Sequence, residues 1–386
     1  MSDEFAASQW DKLQQLGHQL RAQFPDCDAS RLNEEFDRRT ESERTHLIAV
    51  LKGLLLRVIA GLKIDTRFKM QFVRRNHWPN VYFDPECGLR LVDQPEMTLV
   101  AGQRLHRVAQ ILLLLLRLLN SGDRATKRDH MYAVELQSLQ FQVDDIIDDI
   151  AATCRISRLS LNTISSCEGM IFGDVQYTTR AGDRFHCLNS GNEPTTIMTA
   201  CTDIRRMSSP AAFVLVVEKD TVFRRLLAHG VPAHLNCILV TGKGYPDLPS
   251  RRMVNQLWHF LRVPILALVD GDPHGVEIMC IYRFGSLSAA YDCHSLSCPQ
   301  MRWAGFLPSD FVHKSPVMTL LQPADLKKLE DLLKRPYVQQ LPDLRDEILR
   351  LGAGGYKHGL EQFADLRTDY ISHNFLPFCL SRGRFI

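Results

Sequence analysis

The stretch PILALVDGDPHGVEIMC, from Pro264 to Cys280, is an apolar run that ends on two carboxylates, Asp270 and Asp272, with one glycine between them. A buried strand can end on charge where its end opens at a cleft. A third acid, Glu218, closes an equivalent apolar run in AAFVLVVEKD. Three carboxylates gathered there repel one another unless a divalent cation sits between them, and few carboxylates with waters or phosphates are the usual shell of Mg²⁺. A second chemical pattern lies upstream in ATKRDHMYAVELQSLQF, where Tyr132 follows Arg128 by four residues. On a helix both fall on one face, and a cation beside a phenol favours the phenolate and can clamp a phosphate.

Other metal chemistries fit less well. A calcium loop starting at Asp270 has Gly275 correctly at its sixth position but His274 at the fifth and Ile281 at the twelfth, where glutamate is needed. Cys293, His294 and Cys298 lie close together without a second ligand pair at finger-like spacing, so zinc is not expected. A sugar-nucleotide or phosphoryl transferase holding Mg²⁺ on the Asp-Gly-Asp cleft stays open on these residues alone.

The elements that must position these groups follow in order. The first 62 or so residues are helical, with the charged NEEFDRRTESER before the apolar HLIAVLKGLLLRVIAGL, read as a solvated helix pair. RFKMQFVRRNHWPN interleaves basic and aromatic residues, as a nucleic-acid surface does. A helical stripe runs from Leu105 to Leu119, and a second one from Val143 to Cys154 sets Asp144, Asp145, Asp148 and Asp149 on the opposite face, expected to be solvated. SRLSLNTISS reads as a third helix, and GMIFGDVQYTTRAGDRFHCL as two strands around the turn RAGD. Three helices and a hairpin are the order of a winged helix. Three strand–turn–helix units then begin at AAFVLVVEKD, CILVTGKGYPD and PILALVDGD, and their unbroken apolar strands imply a parallel sheet covered on both faces. In such sheets ligands bind at the carboxyl ends of the strands, where Glu218, Lys243, Asp270 and Asp272 fall.

A chain of 386 residues, 45% of them hydrophobic, suits two globular domains with extensions. The formal charge of +2 leaves nucleic-acid binding to local patterning. Eleven cysteines without a CxxC pair, behind an opening that lacks a secretory pattern, are expected to be reduced thiols of cytosol or nucleus. The most apolar segment, VAQILLLLLRLL, falls short of the roughly 20 residues that span a bilayer, so no membrane partner is expected.

RATKRDHMY, VDDIIDDIAATCRISRLSLNTI, VVEKDTVFRRL, TGKGYPDLPSR and LVDGDPHGVEIMCIYRFGS, in this order, closely resemble the meiotic double-strand-break transesterases. These are eukaryotic relatives of the A subunit of archaeal topoisomerase VI. The resemblance covers Arg75 to the C-terminus, with RWAGFLPSD and KRPYV further on. It implies a mixed α/β chain: a helical extension (1–64) that docks partners, a winged-helix DNA-cleavage domain (65–205) and a Toprim-type domain with a C-terminal helical extension (206–386). It also implies a nuclear enzyme in which Tyr132 attacks a DNA phosphodiester, leaving a 5′-phosphotyrosyl link and a 3′-hydroxyl. By the same motifs Arg128 stabilises the phosphate, Glu218, Asp270 and Asp272 hold Mg²⁺, and Lys127, Arg155, Arg158, Lys243 and Tyr245 lie at DNA. The implied partners are double-stranded DNA, a second copy of the chain, meiotic accessory proteins and a topoisomerase VI B-like subunit. Met131 stands where many relatives carry a second tyrosine, and Glu168 where they usually carry lysine, which removes one expected phosphate contact. The alternatives are a non-catalytic DNA-binding scaffold and a somatic topoisomerase A subunit.

Overall fold

The structure, a computed structural model, describes residues 29–64, 69–92, 96–100, 103–133, 140–179, 182–188, 193–197, 204–310, 318–362, 369–383 and 385–386. The start of the expected extension and the side chain of Lys127 lie outside the described residues.

Among the described residues a single helix, α1 (Ala29–Ile64), carries both the charged NEEFDRRTESER and the apolar HLIAVLKGLLLRVIAGL, with no glycine or proline between Ala29 and Gly53. Its stretch Glu43–Leu62 is long and apolar enough to cross a membrane by length and composition. Leu47, Leu51, Leu55 and Val58 of that stretch are packed in a helical core. The short strands β1 (Lys69–Val73), β2 (Val81–Asp84), β3 (Gly88–Leu91) and β4 (Glu96–Val100) form two antiparallel pairs, β1 with β4 and β2 with β3. α2 (Gln103–Ser121) brings Leu105, Val108, Leu112, Leu115 and Leu119 into the same core as α1, as its stripe predicts. After β5 (Ala125–Thr126) come α3 (Lys127–Ala133) and α4 (Gln140–Cys154), and α4 adds Val143, Ile146, Ile147 and Ile150.

Two expectations about this region are corrected. The far face of α4 is not solvated at Asp148 and Asp149, which are buried. Arg75 meets Asp149 at 2.8 Å and Asp148 at 3.4 Å, Arg104 meets Asp149 at 2.7 Å, and Arg158 is paired with Asp148, so the buried charges are compensated. The segment after α4 is not a third full helix. Arg155, with φ 54°, ends α4, and only a 3₁₀ turn forms at Leu159–Leu161. The β-branched pair of β6 (Thr163–Ile164) then runs parallel to β5.

The expected hairpin is present with a break. β7 (Met170–Phe172) leaves at Gly173, and β8 (Gln176–Thr179) pairs with β9 (Arg184–His186) on one side and, beyond β10 (Thr195–Thr196), with β11 (Ile204–Ser208) on the other. Gly173 has φ 143° and lies so close to a later strand, Cys237–Thr241, that a Cβ would sit 3.0 Å from the Ile238 Cα.

The main sheet is mostly parallel. β12 (Phe213–Val217), α5 (Asp220–Ala228), α6 (Val231–Leu235), β13 (Cys237–Thr241), α7 (Leu248–Leu261), β14 (Ile265–Leu268) and α8 (Pro273–Phe284) alternate along the chain, followed by α9 (Cys293–Leu296) and β15 (Arg302–Gly305). The spatial order is β10-β7-β13-β12-β14-β15, with β12, β13, β14 and β15 parallel and β7 and β10 forming an antiparallel edge. Val214 and Val216 of β12 enter a core with α7 and α8, while Phe213, Leu215 and Val217 enter a second core with α5 and α6. Burial on both faces is why these strands read as unbroken apolar runs. Chain order and spatial order reverse between β12 and β14, and that switch point is where a doubly wound sheet opens a cleft.

Candidate active site

Glu218 follows β12, and Asp270 and Asp272 follow β14, so the switch point brings the three acids to one end of the sheet. The pairing extends into the site: Glu218 N–H donates to the Leu268 carbonyl at 3.1 Å, and Asp270 N–H donates to Glu218 Oε2 at 2.8 Å. Burial pushes the Glu218 carboxyl up to about 8, reinforced by the negative charge of Asp270. Burial also raises Asp270, against a hydrogen bond from Leu360 N–H and an ion pair with Lys219 at 2.9 Å. Asp272 caps α8 through Oδ1, which accepts from Gly275 N–H at 2.7 Å, with Pro273 in the first turn. Two acids held above the ordinary carboxylate range by burial, beside a third, fit a hard divalent cation with oxygen ligands. Lys219 supplies part of that charge and is itself shared with Glu361 at 3.2 Å.

The glycine between the aspartates has a packing reason. Gly271 exchanges backbone hydrogen bonds with His358, and a Cβ there would sit 2.1 Å from the imidazole Nε2. His358 is buried, which depresses its pKa to about 4, so it is neutral beside the acids. Gly275 is equally confined, since a Cβ would meet the Asp270 carbonyl at 2.3 Å.

The β13 end carries Lys243, exposed at φ 58°, and Gly244, whose N–H donates to the Glu218 carbonyl at 2.8 Å. Tyr245, half exposed, hydrogen-bonds Glu277 and also reaches His274 Nδ1 at 3.0 Å. Burial works to raise the Glu277 carboxyl, but hydrogen bonds from Lys328, Tyr245 and Arg335 hold it at about 2. Glu277, Lys328, Lys219 and His358 went unnoticed in the sequence. Lys219, directly after Glu218, was the one with a visible signal.

Tyr132 is 60% exposed on α3, and Arg128, one turn earlier, is exposed too. The opposite face fixes the helix. His130 is 2% exposed and meets Thr163 Oγ1 at 3.0 Å, and Met131 is buried beside it. Thr126 and Asp129 form a reciprocal cap: Asp129 Oδ2 accepts from Thr126 N–H at 2.7 Å, and Thr126 Oγ1 accepts from Asp129 N–H at 3.2 Å. A short helix locked from below therefore displays a phenol and a guanidinium to solvent. Arg155 is exposed, and its guanidinium reaches the Val92 carbonyl at 3.4 Å. Arg158, expected at DNA, instead holds Asp148, which Tyr291 also reaches at 3.3 Å, so it ties α4 to the chain before α9. Glu168 is exposed, and its N–H donates to Asp247 Oδ2 at 2.7 Å.

Comparison with known proteins identifies the family of the chain. A family model for the Toprim domain of the topoisomerase 6 A-subunit/Spo11 proteins matches residues 213–380, from the first residue of β12 onward. A model described as Type IIB DNA topoisomerase matches residues 103–163, which include α3. The chain is 34% identical over 358 residues to Meiotic recombination protein SPO11 of Homo sapiens, covering 89% of each. It is 33% identical to Meiotic recombination protein SPO11-1 of Arabidopsis thaliana, over 88% of this chain and 97% of that one. To the A subunit of DNA topoisomerase 6 from the same plant it is 31% identical, over 71% of this chain and 65% of that one. With both domain models in order and similarity running over most of its length, the chain belongs to the Spo11/topoisomerase VI A-subunit family.

Proposed function

We propose that this chain is a nuclear, Mg²⁺-dependent DNA transesterase that makes the double-strand breaks initiating meiotic recombination. The observation that carries this reading is the display of Tyr132 and Arg128 together on a helix whose other face is locked by His130 and Met131. The phenolic oxygen of Tyr132 attacks a DNA phosphorus. A P–O bond to tyrosine forms as the phenol gives up its proton to solvent, the bond to the 3′ oxygen breaks, and that oxygen takes a proton from solvent and leaves as a hydroxyl. Arg128 neutralises charge on the non-bridging oxygens, which grows in the transition state. Glu218, Asp270 and Asp272 would hold Mg²⁺, which supplies further charge neutralisation at phosphate and orients the strand.

The segments α3, α4 and the β8–β9–β11 sheet act as a winged helix on the duplex, with Lys127, Arg155, Lys243 and Tyr245 along its path. Two copies cut the two strands, the tyrosine of one working with the acids of the other, beside a topoisomerase VI B-like subunit. The names of the relatives, Meiotic recombination protein, support the meiotic assignment over a somatic topoisomerase.

The test is recovery of tagged protein from meiotic cells under denaturing conditions, followed by labelling of attached DNA ends. Labelled DNA on the wild type and none on Tyr132→Phe supports the reading. Adducts on Tyr132→Phe would refute the nucleophile, and none on the wild type while breaks are present would favour a non-catalytic scaffold.

A further inference from the structure

Among the described residues, the one group of three potential metal ligands whose donor atoms all lie within 4.8 Å of one another is Cys87, Cys293 and His294. It is separate from the acids at the β12 and β14 ends. Zinc was not expected from the sequence because Cys293, His294 and Cys298 lack a partner pair. The fold supplies Cys87 from 206 residues away and leaves Cys298 buried elsewhere.

We propose that Cys87, Cys293 and His294 form a zinc site that staples the β2–β3 hairpin to the main α/β unit. The two sulfurs are 3.5 Å apart. Two thiolates on one tetrahedral zinc, with bonds near 2.3 Å, stand about 3.8 Å apart, so binding needs only a small adjustment. Both cysteines are buried, and His294 beside them is exposed, which leaves a fourth coordination position for water.

The donors are held in place independently of any ion. Gly88, at φ 89°, lies so close to the Phe284 carbonyl that a Cβ would be 2.3 Å from its oxygen, which fixes the turn carrying Cys87. Asp84 braces the same turn, accepting from Glu86 N–H at 2.9 Å and Arg90 at 3.1 Å. On the other side Asn255 of α7 donates to the carbonyls of His294 and Ser297, at 2.9 and 2.7 Å, and Arg252 holds Asp292 at 2.9 Å. Burial raises both thiols, so they stay protonated until a cation displaces the two protons as it binds.

The experiment is zinc content by inductively coupled plasma mass spectrometry on the full chain, purified under reducing conditions and dialysed against zinc-free buffer. The expected result is about one zinc per chain in the wild type and in Asp270→Asn, with loss in Cys87→Ser and Cys293→Ser. His294→Ala changes only an exposed side chain and should fold normally. Its zinc affinity should fall by more than about tenfold, the cost of disturbing even an outer-shell partner. A wild type without zinc, whether its thiols titrate free or Cys87 and Cys293 are joined by a disulfide, overturns the site. Loss of zinc in Asp270→Asn with retention in His294→Ala would place the ion at the acids and overturn it equally.

Discussion

Replacing Glu218 by glutamine should make the metal-free protein more stable at alkaline pH, although it removes a metal-binding acid. The Glu218 carboxyl is raised from 4.5 to about 8 by burial and by Asp270. Between those values the folded chain keeps a proton that the unfolded chain has released. The stability this proton contributes is full below pH 4.5 and lost as pH rises through about 8. At ~1.36 kcal/mol per pH unit, the interval bounds the loss at roughly 5 kcal/mol. Glu218 and Asp270 titrate as a pair, so the substitution recovers only part of this, about 2–3 kcal/mol. Glutamine keeps an oxygen that can accept from Asp270 N–H, so the local hydrogen bond survives. For a domain of this size each kcal/mol moves Tm by about 2–4 °C, giving a rise of roughly 5–10 °C at pH 8.5. The assay is thermal unfolding in chelator from pH 5 to 8.5, wild type against Glu218→Gln. The two curves should converge near pH 5 and separate as pH rises, and added Mg²⁺ should close the gap by stabilising the wild type. Parallel curves across the range would refute the placement of a strained acid pair at this sheet end.

Tyr132→Phe removes an exposed hydroxyl, so its Tm should stay within about 2 °C of wild type while DNA adducts disappear, read by melting and end-labelling. Gly271→Ala drives a methyl into the His358 ring and should cost about 1–3 kcal/mol, and His358→Ala in the same chain should restore part of that in a double-mutant cycle. Arg75→Ala leaves Asp149 and Asp148 buried with less compensation and should destabilise by about 3–5 kcal/mol in denaturant titration, with Arg75→Lys intermediate. Equal stability of Arg75→Ala and wild type would mean that Arg104 and Arg158 suffice.

The strands of the main sheet were legible because a strand buried on both faces must be apolar at every position, and FVLVV, CILVT and ILAL are. The acids were legible because charge directly after such a strand requires a cleft. Helices α2 and α4 were legible from their stripes. The third helix was misread because SRLSLNTI fits a helix or a turn locally. Its pairing with β5, over 30 residues earlier, decides the matter. The α4 acids were misread for a similar reason: four aspartates look solvated until Arg75 and Arg104 arrive from other elements.

The sequence by itself therefore determined the doubly covered sheet and most of the order of elements, and it set Glu218, Asp270 and Asp272 at strand ends and Arg128 and Tyr132 one helical turn apart. These follow from periodicity and from residue chemistry, which are local. Only the tertiary structure decided what neutralises each buried charge, why Gly271 must lack a side chain, and that Cys87 meets Cys293 and His294. Those depend on contacts between residues far apart in the chain, and no local pattern encodes which distant side chain fills a given space.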